Sequence, residues 1–258
     1  VVLLLGDAGF REGEEGLGRS TWVRVRVVST EEFLRRVQDR LARLRMRVTE
    51  LEELQRQKQR LTRELIESLE SDAPELAATA TELNAVLAGQ RRVGGDAEAV
   101  APELAAITES VLYARVDDKA ALLLEQMDAA LARHIDRRFQ YETWRDLSLG
   151  WRRGAAGGPG LAAQLARLLD LGLTIGLEDC RPASDALEQA GQSVDLTAIH
   201  AALVAASEHQ ARALTNIEDL LGRLAEWDNF QSILSLTRDI LSRQKALMDR
   251  TKRQVREK

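Results

Sequence analysis

Apolar residues recur every three or four positions along most of the chain, a spacing that places them on one face of a helix. One such run extends from Leu34 to Leu51 in alternating steps of three and four. A longer run follows Ser193 and comprises Leu196, Ile199, Leu203, Ala206, Gln210, Ala213, Ile217, Leu220, Leu224 and Trp227. These alternating steps are the heptad pattern of a coiled-coil seam. The pattern therefore predicts long helices that pack through narrow apolar stripes.

The start of the chain follows a different pattern. Val1–Leu5 is a short apolar run, a glycine-rich segment follows it, and valines alternate with arginines from Trp22 to Val28. Strict alternation is typical of a half-buried strand, and glycine clusters are typical of the loops between strands. We predict a short β hairpin here. Because two strands alone are marginally stable in water, we also expect partner strands before Val1.

The first long helix is predicted to begin at Ser29 or Thr30, because both are favourable N-caps and glutamates follow in the first turn. After Leu51 the apolar residues change phase, to Leu54, Leu61 and Leu65. Such a change is a stammer, which overwinds a coiled coil locally. We predict that the helix ends before Pro74, because proline suits the first turn of a new helix.

Glycine, proline and polar pairs predict where the later helices begin and end. The predicted breaks are Gly94-Gly95, the loop 150–160, Arg181-Pro182 and Asp228-Asn229. The predicted helices are 74–92, one from about Asp96, 117–144, one from Leu161, 196–227 and one from Phe230. The predicted fold is mainly α: an elongated antiparallel helical bundle with coiled-coil segments, preceded by a short β hairpin. We divide it into residues 1–29, the terminal strands of a truncated β module, and residues 30–258, the helical coiled-coil bundle.

Composition argues against several classes of function. Charged residues make up 30% of the chain, and the net charge is −5 with both signs interspersed, so no global field favours nucleic acid or anionic lipid. Cys180 is the only cysteine, which excludes an internal disulfide and any zinc site built from several cysteines. The most apolar segment, 161–177, contains Arg167 and Asp170 and is too short to cross a membrane.

The sequence contains no spacing that announces a catalytic, cofactor or metal site. Of the three histidines, His134, His200 and His209, the last two are nine residues apart on different helix faces, and neither has a glutamate at ligand spacing. The Gly6–Gly9 turn is not followed by a phosphate-binding motif. Cys180 lacks a neighbour that would activate a nucleophile, so an inert thiol is the preferred interpretation. We therefore predict that the protein is not an enzyme and binds no cofactor or metal.

The stretch from Arg137 to Arg153 is the best candidate for contact with a partner. Its aromatic residues are Phe139, Tyr141, Trp144 and Trp151. Aromatics among arginines can cap a helical bundle, contact a partner protein, stack on single-stranded bases or lie at a membrane interface. Interleaved carboxylates weaken the last two alternatives. Gln210, a polar residue in a seam, is interpreted as setting helix register.

Two segments resemble parts of very large uncharacterised bacterial envelope proteins. The first is -GRSTWVRVRVVSTEEFLRRVQDRLARLR-, in which strands end in a V-V-S/T-x-E-E turn and pass into a long Arg/Glu/Leu helix. The second is -IEDLLGRLAEWDNFQSILSLTRDILSRQKALMDRTK-, which is similar to their closing helical pair, with Trp227 and Phe230 near the turn. The two segments cover less than half of the chain.

The resemblance implies Ig-like strands upstream of the helices, so that residues 1–29 would end an Ig-like module. It also implies a periplasmic or cell-surface location, with membrane attachment only through upstream sequence. We expect a non-enzymatic structural or scaffolding region that contacts a protein partner, or a second copy, through helical seams. The alternative is a peripheral membrane-surface or nucleic-acid binding module that uses residues 137–153. The acidic balance of the chain argues against nucleic acid as the partner.

Overall fold

The computed structural model describes residues 2–4, 26–70, 76–115, 118–132, 140–153 and 160–256. The described helices are α1 (Thr30–Leu69), α2 (Leu76–Ala114), α3 (Asp118–Leu131), α4 (Tyr141–Arg153), α5 (Leu161–Thr174), α6 (Arg181–Gln192) and α7 (Leu196–Arg256). A π-helical turn, Ile175–Cys180, joins α5 to α6 without a break. The protein is thus mainly α, as the periodicity predicts.

Two three-residue strands precede the helices. β1 (Val2–Leu4) pairs antiparallel with β2 (Arg26–Val28). Residues 22–25 of the predicted strand lie outside the described residues. The last residue of β2, Val28, is buried in the same core as Phe33 of α1, so the second strand is joined to the bundle by packing as well as by sequence. The larger β module stays a prediction.

The predicted start of α1 is confirmed. Ser29 has an extended backbone and is the N-cap, and its side-chain oxygen accepts a hydrogen bond of 3.1 Å from the backbone N–H of Glu32. Glu31 and Glu32 lie in the first turn, where carboxylates interact favourably with the helix dipole.

Four long helical segments form an antiparallel bundle. Arg40 near the start of α1 pairs with Glu103 near the end of α2 at 3.0 Å, while Gln55 later in α1 meets Gln90 earlier in α2. The two helices therefore run in opposite directions. α1 is also antiparallel to α7, because the end of α1 meets the start of α7 in the 3.0 Å contact of Glu70 with His200.

The continuous segment α5–π turn–α6 closes the bundle opposite α1. It runs antiparallel to α2, since Gly172 lies against Leu104 whereas Glu188 pairs with Arg91 at 2.9 Å. A three-residue turn, 193–195, then reverses the chain into α7. α3 and α4 connect α2 to α5 and pack on this segment. Each of the four long segments therefore lies beside two antiparallel neighbours.

A layer of polar residues divides the interior into two apolar cores. The larger core contains the first half of α1, the second half of α2, α4, α5 and α7 from Ala213 to Trp227. The smaller core contains residues from the other ends of these segments: Leu65, Leu83, Val86, Leu187, Ala190, Ile199, Ala202, Leu203 and Ala206. Between them lie Gln55, Gln90 and Gln210, each with no exposed surface.

The predicted break at Gly94-Gly95 is wrong, because α2 passes through both glycines and through Pro102 without interruption. Glycine costs about 1 kcal/mol in a helix interior relative to alanine. Val93 and Ala97 on either side are fully buried against the rest of the bundle. The packing of this helix face offsets the poor propensity of the glycines, which tertiary contacts commonly do.

The predicted ends at Arg181-Pro182 and Asp228-Asn229 are also wrong. Pro182 occupies the first turn of α6, directly after the π turn, where the N–H of Arg181 bonds the carbonyl of Gly176 five residues back. A wider turn before a proline accommodates its ring without ending the helix. α7 continues through Asp228-Asn229, which contains neither glycine nor proline and costs little in a helix.

The predicted stammer in α1 is wrong as well. The buried residues Leu51, Gln55, Thr62 and Leu65 share one heptad phase, with Gln59 buried in place of Lys58 between them, while Leu54 and Leu61 are only partly buried. The seam therefore contains polar side chains where the apolar pattern changes phase. Phe33, rather than Leu34, begins the buried face.

The boundaries around α3 and α4 differ from those predicted. The predicted helix 117–144 is described as two helices, α3 and α4, with 133–139 outside the described residues. The predicted loop 150–160 overlaps the last turn of α4, which extends to Arg153. Trp151 explains this extension, because its indole is buried in the larger core and fixes the end of α4 there.

Candidate functional site

Three of the four predicted contact aromatics lie on α4, and Phe139 lies outside the described residues. Trp144 and Trp151 are only 4% and 1% exposed. Their rings meet edge to face, with centroids 6.4 Å apart and planes at 76°. Both indoles therefore anchor α4 to the larger core. A partner contact at these residues stays a prediction.

Tyr141, at the start of α4, supplies a hydrogen bond that α2 lacks. Pro102 lies inside α2 and has no backbone N–H, so the carbonyl of Glu98, four residues earlier, has no helical donor. The Tyr141 hydroxyl donates a hydrogen bond to that carbonyl. Burial, together with the charge of Glu98, raises the pKa of Tyr141 to about 12. The hydroxyl is therefore protonated and able to donate at neutral pH.

The π turn presents a buried carboxylate to α7. Asp179 is 3% exposed, and its Oδ2 accepts a 2.7 Å hydrogen bond from Nδ2 of Asn216. Nε of Arg212 lies 3.9 Å from the other carboxylate oxygen. Burial raises the pKa of Asp179, while Asn216 and Arg212 oppose that shift. The arrangement ties the π turn to α7 through a charge that is only partly compensated.

Two ion pairs tie the same region to α4 and α2. Arg145 and Glu178 approach to 2.5 Å, and Arg181 and Glu98 to 3.3 Å. All four side chains are at least one-third exposed, so each pair contributes little to stability. Arg145 belongs to the Arg/aromatic stretch, and its pairing inside the chain reduces the positive charge offered to a phosphate or lipid.

Cys180 is fully buried beside Asp179. Burial, with the charges of Asp179 and Glu98, raises the pKa of its thiol to about 12. A nucleophilic cysteine needs a lowered pKa and access to a substrate. The surroundings of Cys180 therefore favour an inert thiol.

The histidines have local partners. His200 contacts Glu70 at 3.0 Å, and Nδ1 of His209 accepts a 2.6 Å hydrogen bond from Arg212. His134 lies outside the described residues. Over the described ranges, no group of three His, Cys, Asp or Glu side chains is arranged to hold a metal ion.

A groove of about 640 Å³ lies between α1 and α2. Lys58 lies close over Gly89 toward one end of these paired helices, and the Arg40–Glu103 pair lies toward the other. Its lining residues are Arg47, Glu50, Leu51, Glu53, Leu54, Gln57, Arg60, Arg92, Asp96 and Val100. Arginines and carboxylates are equally numerous there, so the groove selects neither anions nor cations strongly.

The glutamine layer is a ring of amide hydrogen bonds in the bundle interior. Nε2 of Gln210 donates to Oε1 of Gln90 at 2.9 Å, and Nε2 of Gln90 donates to Oε1 of Gln55 at 3.1 Å. Nε2 of Gln55 closes the ring by donating to the backbone carbonyl of Gln210 at 3.4 Å. Oε1 of Gln210 has no hydrogen-bond partner within the described part of the chain.

In comparisons with known proteins, no family model matches the chain, and neither the curated proteins nor the solved structures give a significant match. Sequence reasoning identified Gln210 as a polar seam residue but not its partners Gln55 and Gln90. The heptad phase could have indicated that Gln55 and Gln90 are buried, because both lie at seam positions of their helices. No pattern in the sequence indicated the contact of Asp179 with Asn216.

Proposed function

We propose that this chain is a non-enzymatic structural or scaffolding region of a bacterial envelope protein. In this proposal the bundle is an elongated spacer with coiled-coil segments, preceded by a β hairpin, that holds the ends of its long helices at a fixed separation. At about 1.5 Å per residue, the 40 residues of α1 alone extend about 60 Å. The resemblance of both ends of the bundle to envelope proteins supports the location outside the cytoplasm.

The observation that supports this role best is the closure of the seams within one chain. The seam residues of α1 from Val37 to Leu51 are at most 3% exposed, and those of α7 from Leu203 to Leu224 are at most 1% exposed. Over these described seams the apolar stripes are satisfied within one chain, as we expect of a monomeric bundle. Contact with a protein partner would then use the outward faces of the helices, such as those that border the α1–α2 groove.

Membrane attachment, in this proposal, is a property of sequence outside the bundle. Among the described residues, no helix combines the length and apolar composition needed to cross a membrane. The competing role, a membrane-surface or nucleic-acid binding module, requires residues 137–153 to offer aromatic and cationic surface. Trp144, Trp151 and Arg145 are instead engaged inside the chain.

Light scattering over a range of protein concentrations tests the proposal. We expect a constant mass of 28.7 kDa and, in small-angle X-ray scattering, an elongated particle. A mass that doubles with concentration would show that seams pair between chains and would replace the self-contained spacer by a self-assembling one. Co-sedimentation with anionic vesicles and a salt titration with single-stranded DNA test the competing role. Binding to either that falls steeply with salt would overturn the proposal.

A further inference from the structure

Among the described residues, the glutamine layer provides buried hydrogen bonds between the two halves of the bundle. Gln55 and Gln90 belong to the pair α1–α2, whereas Gln210 belongs to the pair α6–α7. The three-residue turn 193–195 fixes the alignment of α6 with α7. Between the two pairs, alignment depends on the side chains that meet in the interior and on exposed ion pairs such as Arg91–Glu188, which contribute little individually.

The apolar part of that interior is nearly unchanged by a shift of one heptad. In α7 the buried residues seven apart are Leu203, Gln210, Ile217 and Leu224, and the series begins at Leu196, which is 40% exposed. In α2 they are Leu83, Gln90, Ala97, Leu104 and Val111. At most levels a shift of seven residues therefore replaces one aliphatic side chain by another. Besides the glutamines, the exceptions are the buried Thr62 of α1, one heptad from Gln55, and Trp227, one heptad from Leu220 in α7. Aliphatic burial is non-directional and discriminates poorly between the two alignments.

The amides discriminate strongly, because a shift leaves them without partners. Gln210 would then lie mostly among aliphatic side chains, and Oε1 of Gln90 would lose the hydrogen bond that Nε2 of Gln210 donates to it in the native alignment. Buried polar groups that lose their partners are costly, and polar residues in seams are known to fix register at the expense of stability. The unpartnered Oε1 of Gln210 is part of that expense in the native alignment.

We propose that the glutamine layer fixes the register of the α1–α2 pair against the α6–α7 pair and that it does so at a cost in stability. The layer thus gives the bundle a single length and a single alignment of its helix pairs, and it is not a source of stability. This inference concerns the folded chain alone and stands whether or not the scaffolding role is correct.

The decisive comparison is between the native chain and the variant Gln55→Met/Gln90→Met/Gln210→Met, because methionine keeps the unbranched shape without the amide. Spin labels at Arg63→Cys on α1 and Glu208→Cys on α7, both exposed positions, report the register when Cys180→Ala removes the native thiol. With the glutamines present we expect one interspin distance. In the triple variant we expect a second population displaced along the helices by about 10 Å, the rise of seven residues.

The stability of the single variants completes the test. Each single Gln→Met change leaves an amide unpartnered and is expected to lower the unfolding midpoint, whereas the triple variant is expected to match or exceed the native chain. One interspin distance in a stable triple variant would overturn the proposal. A triple variant that fails to fold, while the single variants fold, would overturn it too, because the ring would then be required for stability.

Discussion

The hydrogen bond from Tyr141 to the carbonyl of Glu98 allows a quantitative prediction, because that carbonyl lacks a helical donor only when residue 102 is proline. Tyr141→Phe removes the hydroxyl and leaves a partly buried carbonyl without a donor, which costs about 1–2 kcal/mol. Pro102→Ala introduces a backbone N–H that can bond the same carbonyl within α2. In that background Tyr141→Phe should cost less than about 0.5 kcal/mol. The coupling free energy between the two sites is therefore expected to be about 1 kcal/mol.

Urea unfolding of the four proteins of this double-mutant cycle, followed by circular dichroism, measures the coupling directly. Pro102→Ala alone should stabilise the protein, since proline is the least favourable residue in a helix interior. Tyr113→Phe is the matched control, because the chain's other tyrosine is 55% exposed and donates to Asp128 instead. Its small effect should be the same with proline or alanine at position 102. Equal costs of Tyr141→Phe in both backgrounds would refute the assignment of the hydroxyl to the carbonyl that proline leaves free.

Three further predictions address other parts of the bundle. Gly95→Ala should stabilise the protein by about 1 kcal/mol in thermal unfolding, because the helix is continuous there and nothing lies within 4 Å of the new Cβ. A destabilising Gly95→Ala would mean that α2 breaks at its glycines. The contrasting variant Gly160→Ala, at a φ of 156° before α5, should destabilise the protein by about 1–3 kcal/mol. The folded pKa of Asp179 lies above its ordinary value of 3.8, so the native state binds this proton more tightly than the unfolded state does. The free energy of unfolding should therefore gain from Asp179 as the pH falls from 7 through the folded pKa, by at most about 1.4 kcal/mol per pH unit, with no further gain below 3.8. Asp179→Asn should lack this gain, and identical pH profiles for the two proteins would contradict the buried position of the carboxylate. Cys180 should react with a thiol reagent only as fast as the chain unfolds, since the thiol is buried and its pKa is about 12, and rapid stoichiometric labelling in native buffer would show that it is accessible.

The heptad spacing of apolar residues predicts the helical class and both main seams, because burial of a stripe every 3.6 residues is a local property of sequence. It also predicts the N-cap at Ser29, where the side chain and the first turn act within four residues. The helix breaks at Gly94-Gly95 and Arg181-Pro182 were predicted from local propensity alone. Both helices continue instead. Burial of Val93 and Ala97 against other helices keeps α2 unbroken, and the π turn accommodates the proline before α6; neither effect is a local property of the sequence.

The candidate site was less predictable for a related reason. Trp144 and Trp151 are seven residues apart, a spacing that already places both on one helix face and favours burial over exposure. Whether that face meets the core or a partner depends on where α5 packs, and the residues of α4 carry no information about that position. The role of Tyr141 likewise requires Pro102, which lies 39 residues earlier in the chain.

The stammer predicted in α1 and the buried glutamine ring have one cause. Gln55 and Thr62 are polar, so the pattern of apolar residues alone passes from Leu51 to Leu54 and changes its heptad phase there. Keeping the phase constant instead places both polar residues in the interior, where they are found. A seam that retains its phase through polar residues excludes water from them, and buried amides must then find partners on other helices. Constancy of phase in α1, α2 and α7 therefore predicts that their glutamines are buried. Their convergence on one level depends on how the helices align, and it is what distinguishes a single alignment of the bundle from its neighbours.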